Sequence, residues 1–294
     1  MSNARIQMDG FFLTRDPWLD GYCMVLEGPW RDQFSRDISS NQVASLRLSR
    51  SMGWRSEDLS FLMHLPELRG LEIYDMSVRD ISPMLKIRAL EHIGLECDQQ
   101  LPLNFTEFGS LTHCYLRWAP SMKSIVDVTS MRRLNLVNAP FQDLRDLSPM
   151  TDLQSLKLTS RKTSSLEGID RFDELTTLDL YACSALKELE PLATCCDELL
   201  TVSFDSCRQV DRIDILAGKQ KLESLTLNNC GRIESLSPLE NCDRLKHLFF
   251  TGDTKIADGD LSVLEKLPAL KNVRFANRRH YSHKRADFSR STIE

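Results

Sequence analysis

The chain has 294 residues, of which 41% are hydrophobic and 27% are charged, and its formal net charge is −5. This composition is that of an ordinary soluble globular protein, and the mildly acidic balance argues against a general nucleic-acid binder. No apolar run approaches the roughly 18 residues that a membrane-spanning helix needs. The opening residues MSNARIQMDG lack the basic segment and apolar core of a secretion signal. We therefore expect a cytoplasmic protein.

Residues 1–42 concentrate aromatic side chains and are predicted to form an N-terminal cap. Asp20-Gly21 is a typical hairpin turn between the segments FFLTRDPW and YCMVLE. A cap is expected because the end of a stack of repeats would otherwise expose its core to water. The aromatic residues of the predicted cap are Phe11, Phe12, Trp18, Tyr22, Trp30 and Phe34.

From residue 43 onwards, the six-residue pattern apolar-x-x-apolar-x-apolar recurs at intervals of 20 to 25 residues. Such even spacing indicates tandem structural repeats. The alternating end of each copy predicts a short strand with two side chains pointing inward, and parallel stacking of these strands builds one sheet. The copies begin at Val43, Leu68, Leu90, Leu111, Met131, Leu153, Leu175, Leu199, Leu222, Leu245 and Leu270.

Between the strands the apolar residues change to a spacing of three, as in Val210, Ile213 and Leu216. That spacing suits a 3₁₀ or tight helical turn with one buried face. The returning side is bulkier than the strand side, so the stack is expected to bend with the sheet inside. The sequence thus predicts an α/β repeat fold over residues 43–277, a solenoid with a parallel sheet on the concave face and short helical turns on the convex face.

The segments after the strands carry a more specific signature. The motifs ISPM, LSPM, LEPL and LSPL resemble the short repeats of the internalin and SDS22-like leucine-rich-repeat families. The resemblance covers about residues 43–277 and implies the fold, whereas members of these families bind unrelated partners. The sequence departs from the family pattern because the asparagine usual after the strand is mostly missing.

Three cysteines, Cys183, Cys207 and Cys230, stand where that asparagine is usual. Their small side chains are expected to turn inward and donate weakly to carbonyl groups of the loop. The chain has nine cysteines, an odd number, and contains no CxxC pair that would suggest a zinc site. We interpret them as buried free thiols.

Because the repeated leucines form the core, a binding function must use the outward side chains of the strands. Tyr, Trp and Arg most often dominate binding energy at protein interfaces, so two patches are predicted to contact a partner. The first comprises Tyr74, Glu96, Tyr115, Arg117 and Trp118. The second comprises Asp179, Tyr181 and Asp205, with Phe249 and Arg274 further along.

Opposite charges also neighbour each other on the predicted sheet, which leaves a structural alternative open. The pairs Arg47–Glu72, Glu96–Arg117 and Lys157–Asp179 would then only neutralise a solvated surface, each contributing about 0–1 kcal/mol.

No catalytic motif is visible: the sequence has no P-loop, GxSxG, HExxH or GxGxxG. Cys97 and His92 lie five residues apart on one predicted strand, roughly 16 Å, which excludes a catalytic dyad. His92 and His113 fall on equivalent positions of adjacent strands near Glu91, but a third metal ligand is not evident. We expect no enzyme activity, no metal and no cofactor.

The leading hypothesis is a bacterial cytoplasmic adaptor or immunity-type inhibitor that grips another protein on its concave face. The SDS22-like resemblance implies an alternative, a regulatory subunit of an enzyme such as a phosphatase. A third hypothesis concerns residues 278–294, a basic C-terminal cap or tail that would bind an acidic partner or nucleic acid. Its cations are Arg278, Arg279, Lys284, Arg285 and Arg290.

Overall fold

The computed structural model describes residues 5–288. Arg290 of the predicted basic tail therefore lies outside the described residues. The chain divides after Arg133 into two compact units. Both units consist of short strands joined by turns, most of which contain a 3₁₀ helix.

In the first unit the strands are neighbours in the order of the chain. β1 pairs with β2, and β2 with β3, in antiparallel fashion, and every pair from β3 to β7 is parallel. The register aligns Arg47 with Glu72, Glu72 with Gly94, and Gly94 with Tyr115. The strands are β1 (Ile6–Gln7), β2 (Phe11–Arg15), β3 (Tyr22–Leu26), β4 (Val43–Ser49), β5 (Gly70–Tyr74), β6 (His92–Glu96) and β7 (His113–Arg117).

The hairpin that joins β2 to β3 differs from the two-residue turn that the sequence predicts. The strands pair only as far as Arg15 and Tyr22, so the residues from Asp16 to Gly21 form a longer loop. Asp16 holds this loop, because its Oδ1 atom accepts hydrogen bonds from the backbone N–H groups of Trp18 at 2.7 Å and Leu19 at 2.8 Å. Asp side chains commonly bind backbone groups two residues further on, and here this ends the strand early.

The helical segments of the first unit complete the layer opposite the strands. The α-helix α1 (Phe34–Ser40) buries Phe34, and Trp54, Phe105 and Phe108 are buried in the core. The 3₁₀ helices are Arg50–Met52, Ser60–His64, Ser82–Lys86, Phe105–Glu107 and Pro120–Asp127.

The second unit begins within β8 (Arg133–Val137), the strand at which the division of the chain falls. Its main strands are parallel neighbours, and the register aligns Tyr181 with Asp205 and Phe249 with Arg274. They are β9 (Ser155–Thr159), β10 (Thr177–Tyr181), β11 (Thr201–Asp205), β12 (Ser224–Asn228), β14 (His247–Phe250) and β16 (Asn272–Phe275). Two short strands, β13 (Arg232–Ile233) and β15 (Lys255–Ile256), form a separate parallel pair.

The turns of the second unit bury the residues at the predicted spacing of three, including Val210, Ile213 and Leu216. The helix α2 (Val263–Lys266) belongs to its last turn. The 3₁₀ helices are Arg145–Leu147, Ile169–Arg171, Glu190–Thr194, Asp214–Leu216, Ser237–Leu239 and Arg285–Phe288.

Residues beyond β16 pack against the end of the second unit. The ring of Tyr281 lies 5.9 Å from that of Phe275, and Phe288 lies 6.3 Å from Phe275. Arg278 donates to the backbone oxygen of Thr254 at 3.2 Å. These contacts place an aromatic layer over the last strand of the unit.

The predicted succession of parallel strands and short helical turns is confirmed. In every repeat the strand begins within two residues of the start of its sequence pattern. Apart from Val43 and Val273, which are half-buried, the apolar positions of the pattern are buried, because the side chains of a strand alternate between its two faces. The boundaries at residues 42 and 277 stay predictions.

Candidate functional site

The first predicted patch is built around a glycine. Gly94 stands between Glu72 and Tyr115 in the register of the sheet. A Cβ atom at Gly94 would lie 2.6 Å from the hydroxyl oxygen of Tyr74. Because glycine leaves that space open, the rings of Tyr74 and Tyr115 meet at 5.7 Å and are nearly perpendicular, at 82°. Edge-to-face contact of this kind is a favoured aromatic geometry.

A carboxylate joins this aromatic pair to a cation. Glu96 accepts a hydrogen bond from the Tyr115 hydroxyl at 3.4 Å and one from Nε of Arg117 at 3.1 Å. Trp118 follows Arg117 directly and is half-buried. The structure therefore connects Tyr74, Glu96, Tyr115 and Arg117 through contacts, and we call these four residues with Trp118 the tyrosine patch.

The pair of Arg47 and Glu72 differs from a solvated surface pair. The Nε atom of Arg47 donates to the Glu72 carboxylate, and only 4% of Glu72 is exposed. Nε2 of His92 lies 3.7 Å from the same carboxylate. Burial raises the pKa of the neighbouring Tyr74 hydroxyl, which therefore stays protonated near neutral pH. Glu72 thus belongs to the base of the tyrosine patch and is not available to a partner.

A residue that the sequence analysis assigned to the cap lies on the outward face of the sheet. Trp18, in the loop between β2 and β3, lies 5.2 Å from the ring of His113 and 6.2 Å from that of His92. The guanidinium of Arg133 lies 5.4 Å from the Trp18 ring, a cation–π contact. Trp18 is nevertheless 46% exposed, so it offers an aromatic surface next to these strands.

The loop that carries Trp18 is held on the sheet by two further contacts. Asp16 accepts a hydrogen bond from the Ser45 hydroxyl. Leu19 packs closely on Gly70, since a Cβ atom at Gly70 would lie 3.0 Å from Cδ1 of Leu19. The sequence contains one sign of this arrangement, namely a tryptophan directly after the loop-forming pair Asp16-Pro17. Nothing in the sequence shows which strands the loop covers.

In the second unit, the second predicted patch begins at strands β9 to β11. Asp179 forms an ion pair with Lys157 at 3.2 Å, and Tyr181 is 54% exposed. Asp205 accepts hydrogen bonds from the Ser206 hydroxyl at 2.8 Å and from Nδ2 of Asn229 at 3.3 Å. Two of the three predicted residues, Tyr181 and Asp205, are aligned across neighbouring strands.

The other two predicted residues of that unit form a pair of their own. The guanidinium of Arg274 lies 5.6 Å from the ring of Phe249, with which it is aligned across β14 and β16. The ring of His247 is stacked on Phe249 at 6.3 Å. Strand β12 separates this pair from Asp205. The second patch is therefore two smaller groups.

Comparisons with known proteins agree with this geometry. No protein-family model matches the sequence. An internalin (inlF) of Listeria monocytogenes superposes with a TM-score of 0.63 at 20% identity, covering 81% of this chain and 68% of the internalin. The functional domain of InlJ from Listeria monocytogenes, which includes a cysteine ladder, superposes with a TM-score of 0.53 at 16% identity, covering 78% of this chain and 48% of that chain.

This chain has the leucine-rich-repeat fold.

A curated relative agrees with that assignment. The disease resistance protein RPP2A of Arabidopsis thaliana is 28% identical to this chain in an alignment 145 residues long that covers 44% of this chain. The match spans 10% of the relative's own length. The predicted resemblance to leucine-rich-repeat proteins is confirmed at the level of the fold.

Cysteines follow three successive strands, and their predicted inward burial is confirmed, although they donate to carbonyl groups of neighbouring strands as well as of the loop. Cys183, Cys207 and Cys230 are all fully buried. Their sulfur atoms donate to the carbonyl oxygens of Leu158 at 3.6 Å, Leu180 at 3.3 Å and Phe204 at 3.2 Å. The cysteines thereby satisfy backbone groups of the preceding strand, as the usual asparagine would.

The histidines of the leucine-rich-repeat chain are aligned across β6 and β7 as predicted. Burial lowers the pKa of His92, and burial with the nearby charge of Arg133 lowers the pKa of His113 to about 4. Both imidazoles are therefore uncharged near neutral pH. Within residues 5–288, no three His, Cys, Asp or Glu side chains are grouped to hold a metal ion. No helix in the same part of the chain is long and apolar enough to cross a membrane.

Proposed function

We propose that this chain is a protein–protein interaction module that holds a partner protein against the outward face of its sheet, which we expect to be the concave face. The observation that carries the proposal is the preformed tyrosine patch, in which Tyr74 and Tyr115 are in ring contact and Glu96 fixes Arg117. Aromatic and arginine side chains are the residue types that most often dominate interface energy. Because rigid strands hold them, little conformational entropy is lost when a partner binds.

Trp18 extends this surface beyond the residues that the sequence predicted. Its exposed ring stands beside His113 and Arg133, on the first unit that also carries the tyrosine patch. A large apolar ring with a cation over its face would suit an apolar or aromatic side chain of the partner. We therefore include Trp18 in the proposed partner surface.

The proposed mode of action is inhibition or neutralisation of the partner by occlusion, as in an immunity-type inhibitor or adaptor of a bacterial cytoplasm. The sequence up to Leu270 carries a net charge of −10, whereas the last 24 residues carry +5. An acidic body accelerates association with a basic surface of the partner. A regulatory subunit of an enzyme such as a phosphatase is the alternative role of the same surface.

Binding of an acidic partner or nucleic acid through the basic C-terminal segment has less support than binding of a partner protein through the tyrosine patch. Arg278 is engaged with the backbone oxygens of Gly252 and Thr254, and Tyr281 is packed in the aromatic layer. We propose that these residues act as a cap of the solenoid. Binding of an acidic partner or nucleic acid through this segment would be abolished by truncation after Asn277, and binding through the tyrosine patch would not.

The test is a pull-down from cells with the immobilised full-length chain, followed by affinity measurement on the partner it identifies. The double variant Tyr115→Ala, Trp118→Ala is expected to weaken binding by about 2–4 kcal/mol, as for hot-spot residues. Met63→Ala is the matched control, since Met63 is an exposed apolar residue on a 3₁₀ helix of the turn side. Equal affinity of the double variant and the wild-type chain would refute the proposed surface.

A further inference from the structure

Two cysteines that are adjacent in sequence lie on the turn side of the second unit. Cys195 and Cys196 follow the 3₁₀ helix Glu190–Thr194, and their sulfur atoms are 3.4 Å apart. Cys196 adopts the left-handed conformation, with φ of 58°. Non-glycine residues seldom adopt it, and such strain often occurs at functional sites.

The two sulfur atoms lie in different surroundings. Cys196 is buried, and its sulfur donates to the carbonyl oxygens of Ile169 at 3.6 Å and Phe172 at 3.9 Å. Cys195 is partly exposed, and its sulfur lies 3.2 Å from the oxygen of Pro191. A reagent in solution can therefore reach the sulfur of Cys195, whereas the sulfur of Cys196 is shielded from solvent.

A buried cation lies beside this pair, at a position where the other repeats have apolar residues. In each repeat of the second unit, the residue three positions before the leucine that starts the strand pattern points inward. Its backbone carbonyl accepts a hydrogen bond from the N–H group of that leucine, as Lys219 does from Leu222. Successive repeats of the second unit place Phe172, Cys196, Lys219, Cys242 and Leu267 there, and all five are buried.

Only 3% of Lys219 is exposed, which is rare for a lysine. Its ammonium donates to the backbone oxygen of Cys195 and to Oδ1 of Asp197, the latter at 3.2 Å. A leucine would fill the position at lower cost, because burying an ammonium requires its desolvation. The charge of Lys219 would stabilise a nucleophilic thiolate at Cys195.

We propose that Cys195 and Cys196 form a modification site for low-molecular-weight disulfides, in which Cys195 is the attacking thiol and Cys196 the resolving thiol. The hydrogen bond from Cys196 and the charge of Lys219 lower the pKa of Cys195, whereas the contact with Cys195 and burial raise that of Cys196. The proton therefore leaves Cys195 before Cys196.

The reaction with glutathione disulfide has two steps. The Cys195 thiolate attacks one sulfur, the S–S bond of the reagent breaks, and the first glutathione leaves as a thiolate that takes up a proton. Cys196 then loses its proton, its sulfur attacks the sulfur of Cys195, and the second glutathione leaves in the same way. Two protein thiols are oxidised to one disulfide and one glutathione disulfide is reduced to two thiols. The protein sulfurs must approach from 3.4 Å to the about 2.05 Å of a disulfide bond.

The experiment exposes the folded full-length chain to glutathione disulfide and maps the modified peptides by mass spectrometry. The wild-type chain is expected to lose two hydrogen atoms from the peptide that contains Cys195 and Cys196. Cys196→Ser is expected to retain one glutathione on Cys195, whereas Cys195→Ser reacts at neither position. Cys242→Ser is the matched control, because it removes a buried thiol from the same set of inward positions and should leave the reaction unchanged.

A second variant tests the role of the cation. Lys219→Met retains an inward side chain of similar length and should slow the reaction at Cys195 by about threefold for each unit by which the thiol pKa rises. Circular dichroism checks that each variant is folded. The proposal is overturned if glutathione disulfide modifies Cys195 no faster than Cys114, a buried thiol of the first unit, or if Cys196→Ser carries no adduct.

Discussion

The indole ring of Trp18 packs against the imidazole of His113 at 5.2 Å, and this contact connects the loop between β2 and β3 to the outward face of the sheet. Burial is the main reason why the pKa of His113 is lowered to about 4. Trp18→Ala would admit water to the imidazole. The pKa of His113, followed by NMR titration, is therefore expected to rise towards its ordinary value of about 6.5. A pKa that stays near 4 in this variant would show that the ring does not shield His113.

The same histidines predict how stability depends on pH. The folded state resists protonation of His92 and His113, whereas the unfolded chain takes up protons below about pH 6.5. The unfolded state then binds more protons, so the free energy of unfolding falls as the pH decreases from about 6.5 to 4. Because His113 is partly exposed, we expect its share to be about 1–2 kcal/mol. Denaturant unfolding of wild type and His113→Gln at several pH values measures it, and the variant should show a shallower slope.

Gly94 offers a direct test of how the tyrosine patch is formed. In Gly94→Ala the new methyl group would lie 2.6 Å from the Tyr74 hydroxyl and 3.0 Å from Cγ of Glu72. Tyr74 has to move, so we expect a loss of about 1–3 kcal/mol in the free energy of unfolding and weaker partner binding. Gly109→Ala is the matched control, because a Cβ there has no neighbour within 4 Å. Equal stability of the two variants would contradict the packing described for Tyr74.

The hydroxyl of Tyr281 makes a specific contribution to the C-terminal packing. It accepts a hydrogen bond from the backbone N–H of Ile256 at 3.0 Å, in a buried position. Tyr281→Phe retains the ring but leaves that N–H without its partner, which is expected to lower stability by about 1–3 kcal/mol. Thermal unfolding compares it with Tyr281→Ala, which should lose more because the ring also packs on Phe250 and Phe275.

The residue before Cys183 carries removable backbone strain. Ala182 has a φ of 53°, in the left-handed region that side chains with a Cβ disfavour by roughly 1–2 kcal/mol. Ala182→Gly is expected to stabilise the chain by about 0.5 kcal/mol, once the larger unfolded-state entropy of glycine is subtracted. The same substitution at Ala44, inside strand β4, should destabilise it instead. Chemical denaturation distinguishes these opposite signs.

The repeat architecture could be predicted because the information is local and periodic. The alternation in LTTLDL fixes which side chains of β10 point inward, and the same register recurs in each copy. The inward position of Cys183 and the alignment of Lys157 with Asp179 follow from that register alone.

What could not be predicted depends on contacts between segments distant in sequence. Trp18 reaches the outward face of the sheet through a loop that folds back over the strands, and no pattern in residues 16–21 shows which strands the loop will cover. Lys219 is inconspicuous in sequence, since a lysine between helical turns is ordinarily solvated. Its burial becomes visible only when its repeat is aligned in space with those of Cys196 and Cys242.

The loop held by Asp16 means that the N-terminal segment and the proposed partner surface cannot be exchanged independently. A chimera that joined these repeats to a foreign lead-in sequence would keep the buried leucines, yet it would leave His92 and His113 uncovered and remove the indole beside Arg133. Transplanting the proposed partner surface onto another scaffold would therefore require the first hairpin as well as the strands.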